Sequence, residues 1–203
     1  MKGAGRRDLL RQVFHLTLAT TAWNVAEAGV ALAFGIRAGS VALTGFGLDS
    51  LIEVSSALFI LWKLAGGKGA EGERRENIAR RGIALTFLLL ALWISLESIS
   101  GLRAGSLPGH SSAGIILASL SLLMMPLLGR AKMRLGKKLK SRAIQADAVE
   151  TLVCAWLSAS LLAGLGLRSA LDWWWADAAG ALLMVPFLAW QAWETWEETK
   201  DRD

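Results

Sequence analysis

The sequence contains few of the residues on which many soluble folds and metal modules depend. It has one cysteine, two histidines and no tyrosine, and only 19% of its 203 residues are charged. About a quarter is typical of a soluble domain. The single cysteine excludes an intramolecular disulfide framework and a CxxC zinc ribbon, and two histidines exclude a histidine-rich metal module. Any chemistry must therefore depend mainly on carboxylates.

The motifs of the common enzyme classes are also missing. The sequence has no HExxH pair, no glycine-rich phosphate loop after a strand, and no serine grouped with a histidine and an acid. Acids alone would suit some intramembrane enzymes, but nothing here pairs them with a nucleophile. We therefore expect a protein that is not an enzyme.

Long apolar stretches, in contrast, are abundant. A helix needs roughly 20 apolar residues to cross about 30 Å of hydrocarbon, and six stretches approach or exceed that length. The sequence predicts an all-α integral membrane protein, a six-helix bundle that forms a single transmembrane domain over residues 1–203. The predicted spans are 12–36, 40–64, 82–101, 112–128, 143–167 and 176–196.

The basic residues indicate the orientation of these spans. Of the 22 lysines and arginines, 19 fall in the two tails and in the loops after spans two and four. Arg37, Arg103 and Arg168 fall on the opposite side. This asymmetry predicts that both termini are cytoplasmic. It also explains the basic composition, so we expect no nucleic acid partner, and we read the basic run 130–142 as a topology anchor rather than as a site for anionic lipid.

Acidic residues lie inside the predicted spans, where a charge costs at least ~2.5 kcal/mol. Glu27 lies in span one, Asp49 and Glu53 in span two, and Asp147 and Glu150 in span five. We place no lysine or arginine at comparable depth, so protons or a transported cation must supply the compensating charge. Two further acids, Glu97 and Asp177, fall near outer span ends, where we expect partial solvation and helix capping respectively.

The spacing of these acids indicates a metal site. Asp49 and Glu53 are one helical turn apart, so both carboxylates lie on one face, and Glu150 and Cys154 repeat that spacing on span five. Two facing pairs would supply the four ligands of a tetrahedral divalent metal, with oxygen and thiolate donors that zinc accepts. The alternatives are protonated carboxyls between packed helices and, for Cys154, a small apolar filler.

Two other acids are candidates for a proton path or a gate. Asp147 lies one turn before Glu150, and a helix-start cap is the competing interpretation. Glu27, three residues after Asn24, would extend a polar path from span one, or would be a structural hydrogen-bonded carboxyl.

Three segments resemble helices two, five and six of the cation diffusion facilitator family: 39–56 (GSVALTGFGLDSLIEVSS), 141–158 (SRAIQADAVETLVCAWLS) and 175–186. The resemblance extends over essentially the whole chain. It implies a homodimeric exporter of divalent cations, commonly zinc, that works by alternating access in exchange for protons. It also implies metal ligands at Asp49, Glu53, Glu150 and Cys154, although most members carry histidine and aspartate at the last two positions.

Only seven residues follow Trp196, so we expect a membrane-only member without the family's cytoplasmic C-terminal domain. We expect no resident cofactor, with Zn²⁺ as the favoured cargo, and a location in a bacterial inner (plasma) membrane. Two alternatives stay open. One is a non-transporting regulatory or assembly protein that retains the fold, and the other is a transporter of hard cations such as manganese or magnesium.

Overall fold

The computed structural model describes residues 3–65, 70–140 and 142–200, and these residues form six helices without a strand. The helices are α1 (Gly3–Ala38), α2 (Val41–Ala65), α3 (Ala70–Ala104), α4 (Ser112–Leu139), α5 (Arg142–Leu171) and α6 (Ala176–Lys200). The predicted all-α, six-helix architecture is therefore confirmed.

Several helices are longer than the spans predicted from hydropathy. α1 begins at Gly3 rather than at residue 12, and α4 continues to Leu139 although its predicted span ends at residue 128. Pro126 lies inside α4 without ending it, as helices packed against neighbours in a membrane permit. Hydropathy identifies only the apolar part of each helix, and the charged turns beyond it remain helical.

The outer surface of the helices is apolar, as a lipid environment requires. Within the described residues, three segments are long and apolar enough to cross a membrane: Arg81–Ala104, Ser112–Leu139 and Asp147–Leu171. On α3, Leu85, Leu88, Leu92 and Leu96 form an outward stripe, and each is more than half exposed. Exposed apolar surface of this extent is typical of a protein in contact with lipid. The chain is a multi-pass membrane protein.

One buried core joins all six helices. Phe46 of α2, Ile94 of α3, Leu161 of α5 and Met184 of α6 belong to one apolar cluster and are at most 1% exposed. α4 packs along α5, α3 along α6, and α1 along α2. This arrangement places the polar residues of α1, α2, α4 and α5 next to one another.

Hydrogen bonds from backbone and side-chain groups connect the loops at one end of the bundle. Gly109 N donates to the carbonyl of Ala38 at 2.7 Å, and Arg168 Nε donates to the carbonyl of Pro108 at 3.0 Å. Asp177 accepts from the backbone N–H of Val41 at 2.9 Å and from the Ser40 hydroxyl at 2.5 Å. Asp177 is thus a capping residue, as expected, but the helix whose start it caps is α2 and not its own α6.

Candidate metal centre

Three of the four predicted ligands lie together where α2 meets α5. Asp49, Glu53 and Cys154 each offer one ligand atom, and these atoms all lie within 4.8 Å of one another. Cys154 Sγ is 3.0 Å from each carboxylate oxygen of Glu53. Asp49 and Cys154 are each 1% exposed. The helical spacing of Asp49 and Glu53 directs both carboxylates toward α5, as the sequence predicts.

Asp49 is the member of this trio whose side chain lacks hydrogen bonds. Both of its carboxylate oxygens are buried and have no hydrogen-bond partner in the described part of the chain. Burying a carboxylate without a partner is costly, so such groups are normally paired, protonated or bound to a metal. The position therefore favours a proton or a cation beside Asp49.

Asn24 brings α1 to the same centre. Its Nδ2 donates to Glu53 Oε2 at 2.6 Å, and its Oδ1 is buried without a partner within the described residues. The sequence places Asn24 beside Glu27 but does not predict this contact with Glu53. The available signal was an amide one helical turn before Glu27 in a predicted membrane span.

Glu150 lies beside the trio rather than within it. A small polar cavity of about 30 Å³ is lined by Thr20, Thr21, Asn24, Glu53, Lys132, Asp147, Glu150 and Thr151. That volume is comparable with the space of one water molecule. Glu150 thus shares a cavity with Glu53, and its role as the fourth ligand remains a prediction.

A buried lysine corrects the expectation that no basic residue lies beside the acids. Lys132 Nζ lies 3.0 Å from both carboxylate oxygens of Asp147 and 3.2 Å from Thr151 Oγ1. The sequence interpretation assigned Lys132 to a loop because the apolar stretch ends earlier, whereas α4 continues past it. Asp147 is therefore ion-paired. The alternative of a helix-start cap is excluded, since α5 begins at Arg142.

Glu27 differs from Asp49 in having partners. It accepts hydrogen bonds from Trp23 Nε1 at 2.7 Å and from the Ser121 hydroxyl, and Ser50 Oγ lies 3.3 Å from its second oxygen. These contacts join α1, α2 and α4. Glu27 is fully buried and lies outside the trio, and its predicted place in a proton path is not tested by this geometry.

Comparison with known proteins relates the chain to transporters. A family model described as the cation efflux transmembrane domain matches residues 17–201. Transmembrane protein 163 of Xenopus laevis is 30% identical over 118 residues, which are 58% of this chain and 42% of that protein. A protein of Synechocystis sp. named as an uncharacterized transporter is 25% identical over 191 residues, which are 87% of this chain and 62% of that protein. The chain thus spans less than two thirds of either relative.

Proposed function

Because the chain belongs to the cation efflux family, we propose that it moves a divalent metal cation across a membrane. The family membership confirms the resemblance noted in helices two, five and six. The observation that carries the proposal is the trio of Asp49, Glu53 and Cys154, in which Asp49 and Cys154 are buried and neither oxygen of Asp49 has a hydrogen-bond partner among the described residues.

The donor set of this centre suits a borderline metal such as zinc. Zinc binds carboxylate oxygen and thiolate sulfur at about 2.0–2.3 Å, so neighbouring ligand atoms lie roughly 3–4 Å apart. The trio, with its ligand atoms within 4.8 Å of one another, needs only a small inward movement to reach that spacing. Glu150, which lines the same cavity as Glu53, would complete the four ligands.

Proton exchange follows from the same chemistry. The thiol of Cys154 must lose its proton to bind a metal, and any protonated carboxyl among the ligands must do the same. Metal arriving from the cytoplasm would displace these protons, and protons from the other side would displace the metal. The acids at the centre would thus bind protons and the metal ion in turn.

The wider setting is part of the proposal. The placement of 19 of 22 basic residues supports cytoplasmic termini. The family resemblance supports zinc as cargo and a homodimer, and the composition supports a bacterial plasma membrane.

Metal uptake into proteoliposomes with an imposed pH gradient tests the proposal. Zinc, cadmium, cobalt and manganese would be offered in turn to the wild type, to Asp49→Asn and to the control Asp8→Asn, whose side chain is exposed. We expect flux that depends on the gradient in the wild type and the control, and none in Asp49→Asn.

Equal flux through Asp49→Asn would reject the assigned centre. Metal binding without flux in the folded wild type would instead identify a non-transporting membrane component that retains the fold.

A further inference from the structure

Lys132 places a full positive charge in the interior, next to the proposed metal centre. Its side chain is 1% exposed, while that of its partner Asp147 is 30% exposed. Lys132 lines the same cavity as Glu53 and Glu150. A buried ammonium is retained only where carboxylates and other acceptors surround it.

Close packing of α4 against α5 fixes this ammonium in place. A Cβ added at Gly129 would lie 2.8 Å from Leu152 Cγ and 3.3 Å from the Ala148 carbonyl oxygen. A Cβ at Gly136 would lie 3.1 Å from the backbone nitrogen of Gln145. Lys132 falls between these two glycines, at spacings that place it on the face of α4 that packs against α5.

We propose that Lys132 is a built-in cation that competes with the transported cation and so weakens binding at Asp49, Glu53 and Cys154. This inference rests on the proposed function. Glu53 of the trio lines the same cavity as Lys132. A divalent ion held at Glu53 would therefore lie close to the ammonium, and the two positive charges would repel each other. A transport site must bind its ion tightly enough to capture it and weakly enough to release it. By repelling the bound metal ion, the charge of Lys132 would favour its release.

If Lys132 acts in this way, removing the charge of either member of the Lys132–Asp147 pair should change zinc affinity, and in opposite directions. Lys132→Met leaves the Asp147 carboxylate without its counter-ion, and we expect zinc to bind at least about tenfold more tightly. Asp147→Asn leaves the ammonium without its counter-ion, and we expect zinc to bind at least about tenfold more weakly. A purely structural ion pair would lower stability in both variants and would not shift affinity in opposite directions.

The experiment is a titration of the purified full chain in detergent with zinc chloride at constant pH, followed calorimetrically. Lys138→Met is the matched control, because Lys138 lies on the same helix and is exposed; its affinity should equal that of the wild type. Thermal unfolding of each variant, without metal, establishes that it is folded.

Tighter binding in Lys132→Met together with weaker binding in Asp147→Asn supports the inference. Unchanged affinity in both variants overturns it and leaves the proposed function standing. A wild type that binds no zinc overturns the inference together with zinc as the cargo, whereas the proteoliposome flux of the other metals tests the proposed function separately. If Lys132→Met does not fold, Asp147→Asn decides alone, and undiminished affinity there overturns the inference.

Discussion

Two buried acids, Asp49 and Glu27, have different surroundings, and we expect this difference to separate the proposed binding residue from a structural one. Glu27 accepts from Trp23 and Ser121, so its contacts hold α1 against α4. Asp49 has no hydrogen-bond partner within the described residues. The first carboxylate stabilises the bundle without any ligand, whereas the second carries a desolvation cost that only a proton or a cation offsets.

Matched apolar substitutions should therefore affect stability differently. Glu27→Leu removes the shared acceptor of Trp23, Ser50 and Ser121, and we expect the free energy of unfolding to fall by about 1–3 kcal/mol. Asp49→Leu removes a carboxylate without partners, and we expect stability to be unchanged or higher. Thermal unfolding in detergent with a chelator measures both. A similar loss of stability in the two variants would contradict this division of roles.

The role of Cys154 bears on whether the site prefers a borderline or a hard metal. It contacts Glu53 through its sulfur, but it also packs with Met125 and Ala155 as a small apolar residue would. If the sulfur is a ligand, Cys154→Asp should shift binding from cadmium toward manganese, because a carboxylate is the harder donor. Competition between the two metals on the purified protein gives the ratio. A ratio unchanged from the wild type would identify Cys154 as packing and favour a hard cation as cargo.

At the scale of helices, the sequence predicts the elements better than their ends. The pairing of Asp49 with Glu53 follows from helical periodicity, and their meeting with Cys154 required only that α2 and α5 touch. The burial of Lys132 could not be predicted, because it depends on how closely Gly129 and Gly136 let α5 approach. Hydropathy describes each segment alone, and it therefore assigned this lysine to a loop.

The contact between α5 and α6 provides a test of such close packing. A Cβ at Gly180 would lie 2.9 Å from Gly164 Cα and 2.9 Å from the Ser160 carbonyl oxygen. These are backbone atoms, so the helices must separate, and we expect Gly180→Ala to lower the free energy of unfolding by about 1–3 kcal/mol. Gly166→Ala is the control, because a Cβ there meets nothing within 4 Å. Equal stability of the two variants in thermal unfolding would show that the helices do not pack this closely.

For the whole molecule, the connections between helices that the structure describes lie at opposite ends of the bundle. The loop that contains Pro108 and Gly109 contacts the end of α1 and the end of α5. The connection from α4 to α5 lies at the far end of those helices, next to the basic residues that end α4. The charge asymmetry predicts that this second end faces the cytoplasm.

Cysteine labelling in cells would determine that orientation. In a Cys154→Ser background, Ser106→Cys and Lys138→Cys each place one thiol at an exposed position, at opposite ends of the bundle. We expect a membrane-impermeant maleimide to label Ser106→Cys in intact cells and Lys138→Cys only after the membrane is opened. The reverse pattern would invert the orientation, and with it the direction in which the cation is carried. Labelling of both positions from outside would contradict the alternation of helix directions, on which the meeting of α2 and α5 at the metal centre depends.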